Sequence, residues 1–98
     1  MIELFINKDK DQLLLSRKVI EDCGYEGAGI LSLLIERWVE IGQPHSFSFK
    51  REEIESELLL SFHKQKHSLD KLKEKRYIDF YYGKGNQVFY QLKIDSLL

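Results

Sequence analysis

From Lys50 to Ile78 the apolar residues are spaced so that only a narrow set of folds can bury them together. Ile54 and Leu58 stand one helical turn apart, and Leu69 and Leu72 repeat that interval after a break at Leu59-Leu60-Ser61. Residues three or four apart share one face of a helix, so the segment reads as two helices, Lys50–Leu58 and Ser61 to about Lys75. Glu52 and Glu53 suit the positive end of the first, and Ser61 is a good N-cap for the second. Each helix then gives one apolar stripe to a shared core, and the short turn holds the two together.

The flanking chain supplies the rest of that core. The clearest helix runs from Glu26 to about Ile41, where Leu31, Leu34, Ile35 and Trp38 form a stripe widened by Ile30 and Ile41. Gly42 and Pro44 stop it. Before it, Ser16 can cap a short helix that Gly24 ends. Met1–Ile6 is apolar and reads as a short strand or packing arm, and Phe47-Ser48-Phe49 as a brief β segment. After residue 76 the period changes to two. Ile78, Phe80 and Tyr82 share one strand face, and Val88, Tyr90, Leu92 and Ile94 share another. Gly83-Lys84-Gly85-Asn86 between them reads as a hairpin turn. The expected architecture is α+β: three to four helices, a small antiparallel sheet and a C-terminal β-hairpin.

Length and charge exclude several classes of function. At 98 residues the chain reads as a single domain over 1–98, with little room for a deep catalytic cleft. Its one cysteine, Cys23, cannot form an internal disulfide, and no apolar run approaches the roughly 20 residues a bilayer requires. The N-terminus carries acids where a secretion signal needs a basic start, so a cytoplasmic protein without membrane contact is expected. The net charge of −1 hides a division. Residues 1–60 hold seven Lys/Arg against twelve Asp/Glu, a formal −5, whereas residues 61–98 hold eight against four, a formal +4. Fields act locally, so the basic half bears on partners more than the total does.

The element order and the residues Lys50, Ile54, Leu58, Leu60, Ser61, Leu69, Leu72 and Ile78 resemble the winged helix-turn-helix superfamily. The likeness is close over about half the chain and holds for element order elsewhere. It departs from the usual pattern at Glu55, where a small residue is common, and at Leu59 and Arg76, where glycine is common. Gln65 also stands where an apolar residue is common. The looser pattern is similar to winged helices of phage and plasmid replication or regulatory proteins. The resemblance implies a recognition helix over about 61–75 in the major groove of double-stranded DNA, with the wing at 83–86 on the backbone.

The residues that would carry such binding form a basic arc. With Leu69 and Leu72 inward, His63, Lys64, Lys66, His67 and Lys71 face outward. Lysines suit phosphates, while His63, Gln65 and His67 suit base edges. Lys84 and Asn86 at the hairpin tip complete the set. A solvated basic face and a plain hairpin would have the same composition. His63 and His67, four apart, have a zinc-chelating spacing, but no nearby Cys or His completes a site, and no metal or cofactor is expected. The run Glu52-Glu53-Ile54-Glu55-Ser56-Glu57 reads as a solvated helix face rather than catalytic carboxylates. No nucleophilic triad order or phosphate-binding glycine loop appears, so an enzyme is not expected. Tyr77 and Tyr81, opposite Ile78 and Phe80, suit a protein interface. Two readings stand: a DNA-binding regulator or replication accessory, which in this fold often acts as a homodimer, and a protein-interaction module that does not bind DNA.

Overall fold

A computed structural model describes residues 17–85 and 87–93. It is α+β, with three helices and one three-stranded antiparallel sheet. The helices are α1 (Arg17–Glu40), α2 (Arg51–Leu58) and α3 (Phe62–Glu74), and the strands are β1 (Phe47–Lys50), β2 (Ile78–Tyr82) and β3 (Gln87–Leu92).

α1 is two helical pieces meeting at Gly24, whose φ of 77° and ψ of 174° break the helical path. A side chain there would meet the left-handed steric penalty, so glycine is the residue that permits the kink. The short helix ended by Gly24 and the long one after it are thus both present, run together across a bend. Ile30, Leu31, Leu34 and Ile35 lose all contact with solvent. Trp38 lies at the end of the stripe, and its Nε1 donates to the Pro44 carbonyl at 2.8 Å, tying the helix to its outgoing loop. Ile41 was expected to widen the stripe and does not. The helix stops at Glu40, Gly42 turns the chain at φ 93°, and Ile41 is left half exposed.

β3 is the central strand, in the order β1-β3-β2. Phe47 faces Tyr90 and Phe49 faces Val88 on one side, while Ile78 faces Leu92 and Phe80 faces Tyr90 on the other. The inner face of these pairs closes over the helices, and α1 packs chiefly on α3. Two tyrosines depart from their expected faces. Tyr77 is buried rather than outward, because its hydroxyl donates to Asp22 Oδ2 at 2.7 Å across the joint with α1. That bond holds the Asp22 carboxyl below its usual range, and burial together with Asp22 pushes the Tyr77 phenol up. Tyr82 has the inward parity but is 46% exposed, since it lies at the end of β2, past the helices that cover Phe80.

The unusual residues around α2 and α3 are accommodated by the backbone. Leu59 and Arg76, both in places where glycine is common, take the left-handed conformation glycine would take, with φ of 56° and 66°. Ser61 caps α3 by accepting from the Lys64 backbone N–H, and Leu69 and Leu72 are buried as expected. Glu55 is exposed, and its carbonyl accepts from the Leu59 N–H at the end of α2. The segment Met1–Ile6, Ser16, Asn86 and Ile94 lie outside the described residues.

Candidate nucleic-acid interface

α3 presents four residues to the core, Gln65, Ser68, Leu69 and Leu72, and the rest outward. At about 100° per residue the outward side resolves into a crest and two shoulders. His63, His67, Asp70 and Glu74 form the crest. Lys64 and Lys71 form one shoulder, and neither has a carboxylate partner among the described residues. Phe62, Lys66 and Lys73 form the other, which faces β2: Lys73 Nζ lies 3.3 Å from Asp79 Oδ1 and 5.2 Å from the centre of the Phe80 ring.

The acids on α3 come late. From Phe62 to Leu69 the helix holds Lys64 and Lys66 and no carboxylate, and Asp70 and Glu74 follow in its second half. Lys66 spans the division, with Nζ 3.0 Å from Asp70 Oδ2, a bond that raises its affinity for the proton. Both groups are more than half exposed, so the pair costs little to exchange for another anion.

Gln65 does not belong to the outward set. It is 1% exposed, and its Nε2 donates to the Leu60 carbonyl at 2.9 Å and to the Arg51 carbonyl at 3.0 Å. A buried amide is tolerated there because two backbone acceptors at the helix joint need a donor. It cannot reach a base edge. Its role is to bind the start of α2 to the turn before α3.

The hairpin after β2 carries Lys84, which is exposed, with Gly85 in the left-handed region at φ 65°. The Gly83 N–H donates to the Gln87 carbonyl at 2.9 Å and closes the turn. A Cβ at Gly83 would stand 2.7 Å from Phe89 Cε2, so the missing side chain lets that ring lie across the strand end. Phe89 in turn stacks on Tyr81, with ring centres 5.1 Å apart and planes 16° from parallel, on the outer face of the sheet. Asn86 is outside the described residues.

One residue beside the arc was not foreseen. Arg51 opens α2, and its guanidinium lies 5.4 Å from the centre of the Phe62 ring and 4.7 Å from that of Tyr82. Two helices and a strand therefore meet at one cation. Its sequence signal was a pair of cations, Lys50 and Arg51, at the end of a helix whose dipole disfavours them. The acidic side of the molecule is opposite in character. A cleft of about 490 Å³ between α1 and α2 is lined by Glu36, Glu40, Glu52, Glu53 and Glu57 over Leu33 and Phe49. Arg37 crosses it, with its guanidinium 4.4 Å from the Phe49 ring centre and Nη2 2.8 Å from Glu53 Oε2.

Among the described residues no group of three or more His, Cys, Asp or Glu side chains could hold a metal ion, and no helix is long and apolar enough to cross a membrane. Cys23 is buried, and desolvation pushes its thiol up, away from the reactive thiolate. Comparison with known protein families, with curated proteins and with solved structures finds no match to this chain.

Proposed function

We propose that the chain is a winged helix-turn-helix protein that binds double-stranded DNA through the N-terminal half of α3, as a small regulator or replication accessory. The observation that carries the reading is the acid-free stretch from Phe62 to Leu69, capped at Ser61, whose outward residues His63, Lys64, Lys66 and His67 are exposed. The first turns of a recognition helix are the part that enters the major groove. His63 and His67 on the crest then face base edges, and Lys64 with Lys71 on one shoulder and Lys66 on the other reach toward the two phosphate strands that border the groove. The sheet order β1-β3-β2 and the β2–β3 hairpin agree with a wing, with Lys84 at its tip as a further phosphate contact.

This assignment keeps His63, Lys64, Lys66, His67, Lys71 and Lys84 and drops Gln65. Its test is a mobility shift of labelled random duplex DNA with wild type and a Lys64→Ala/Lys66→Ala double variant. Each lost phosphate contact lowers affinity by about tenfold near 0.1 M salt, so the double variant is expected to bind roughly a hundredfold more weakly. Equal binding by the two proteins would sink the reading.

A second reading, a protein-interaction module on the same frame, is favoured by one feature: the Tyr81–Phe89 stack on the outer sheet face, where Tyr81 is 59% exposed. Exposed aromatic pairs of this kind are enriched at interfaces. A partner docked there, or a second copy of the chain, would leave α3 free.

A further inference from the structure

We propose that Arg51 is a phosphate-binding residue, held ready by Phe62 and Tyr82 at the junction of α2, α3 and the base of the hairpin. The proposal rests on the DNA-binding reading and adds a contact that the basic arc of α3 does not contain.

Four observations converge on it. Arg51 stands in the first turn of α2 next to Lys50, where the helix dipole opposes a cation and favours an anion. Its guanidinium is gathered by two aromatic rings, 4.7 Å and 5.4 Å from their centres, which restricts a long side chain that solvent would otherwise leave free. Its backbone is fixed too, because the buried Gln65 amide donates to the Arg51 carbonyl at 3.0 Å. Finally, no carboxylate pairs with it among the described residues.

The other arginine lying over a ring shows what a purely structural version looks like. Arg37 lies over Phe49 and also meets Glu53 at 2.8 Å, so its charge is answered within the fold. Arg51 has the aromatic support without the acid. A guanidinium held over rings keeps its edge N–H groups available, and that planar fork matches the two oxygens of a phosphodiester. The ligand is assigned as backbone phosphate because the residues around the joint continue the basic surface: Lys66 lies on the same shoulder of α3 as Phe62, and the hairpin leading to Lys84 begins just after Tyr82.

The experiment is fluorescence anisotropy of labelled random duplex DNA over a salt series, with wild type, Arg51→Ala, Arg51→Lys, Tyr82→Ala and, as an independent reporter of the α3 face, Lys64→Ala. Arg51→Ala is expected to lose about tenfold in affinity near 0.1 M salt and to flatten the slope of log affinity against log salt by about one. Arg51→Lys should restore the slope and only part of the affinity, since an ammonium keeps the charge but not the fork. Tyr82→Ala should weaken binding a few-fold with the slope retained, because the cation survives and only its support is lost. Should Arg51→Ala fail to give a cooperative thermal melt, Arg51→Gln keeps the stem and removes the charge, with the same expectation. If wild type binds and Lys64→Ala weakens it, while the Arg51 variant keeps wild-type affinity or loses affinity with an unchanged slope, the Arg51 assignment is overturned alone. If wild type does not bind, both readings fall.

Discussion

Arg37 and Arg51 divide the molecule. Each guanidinium lies over an aromatic ring, yet the first spans an acidic cleft between α1 and α2 and is neutralised by Glu53, while the second sits beside the acid-free start of α3 and pairs with no carboxylate among the described residues. The same stacking serves two ends. Where the surroundings supply the counter-charge the arginine ties two helices together, and where they do not it is left turned toward whatever anion arrives. The net charge of −1 conceals this, because α2 carries acids toward one side and begins with cations on the other.

Charge reversal on each side should break that symmetry by the widest margin. Lys64→Glu/Lys71→Glu on α3 is expected to lower duplex DNA affinity by at least a hundredfold, through two lost contacts and two new repulsions. Glu36→Lys/Glu57→Lys in the cleft should raise it only a few-fold through the long-range field, an increase that added salt screens away. Titrations of both variants at one ionic strength check this, and equal sensitivity of the two sides would mean that neither face is the binding surface.

The joint between the sides sets the next effect. Gln65→Ala removes the donor shared by the Leu60 and Arg51 carbonyls and leaves a small cavity, at a cost of about 2–4 kcal/mol of stability. Urea unfolding would report it, and a loss below about 0.5 kcal/mol would show that water replaces the amide at no cost. The smallest effect is at the turn. Leu59 is 86% exposed and holds φ 56°, so its side chain stabilises nothing within the fold and its backbone is strained. Leu59→Gly should raise stability by up to about 1 kcal/mol, the left-handed penalty less the extra entropy glycine loses on folding. A fall in the unfolding midpoint would show that Leu59 makes a contact within the chain after all.

What was legible beforehand follows from periodicity. Ile54, Leu69 and Leu72, the long stripe of α1, the helix end at Gly24 and the alternation in β2 and β3 are local patterns, and local patterns are written in the sequence. The misplaced residues all depend on partners distant in the chain or on where an element ends. Gln65 reads as exposed because glutamine usually is, and its burial rests on the carbonyls of Leu60, in the turn, and of Arg51, 14 residues away. Tyr77 is drawn inward by Asp22, 55 residues away. Tyr82 has the parity of a core residue but lies past the edge of the core, and Ile41 is lost because its helix ends one residue earlier. Arg51 showed only as one of two cations at a helix start, and its aromatic setting was hidden because the rings come from a different helix and from β2.

The central claim, a DNA-binding face on an otherwise acidic domain, is tested most directly by the salt dependence of wild-type binding to duplex DNA. If Lys64, Lys66, Lys71, Lys84 and Arg51 each meet one phosphate, log affinity should fall linearly with log salt at a slope of roughly −4 to −5. No detectable binding at low salt, or an affinity that salt leaves unchanged, would contradict it.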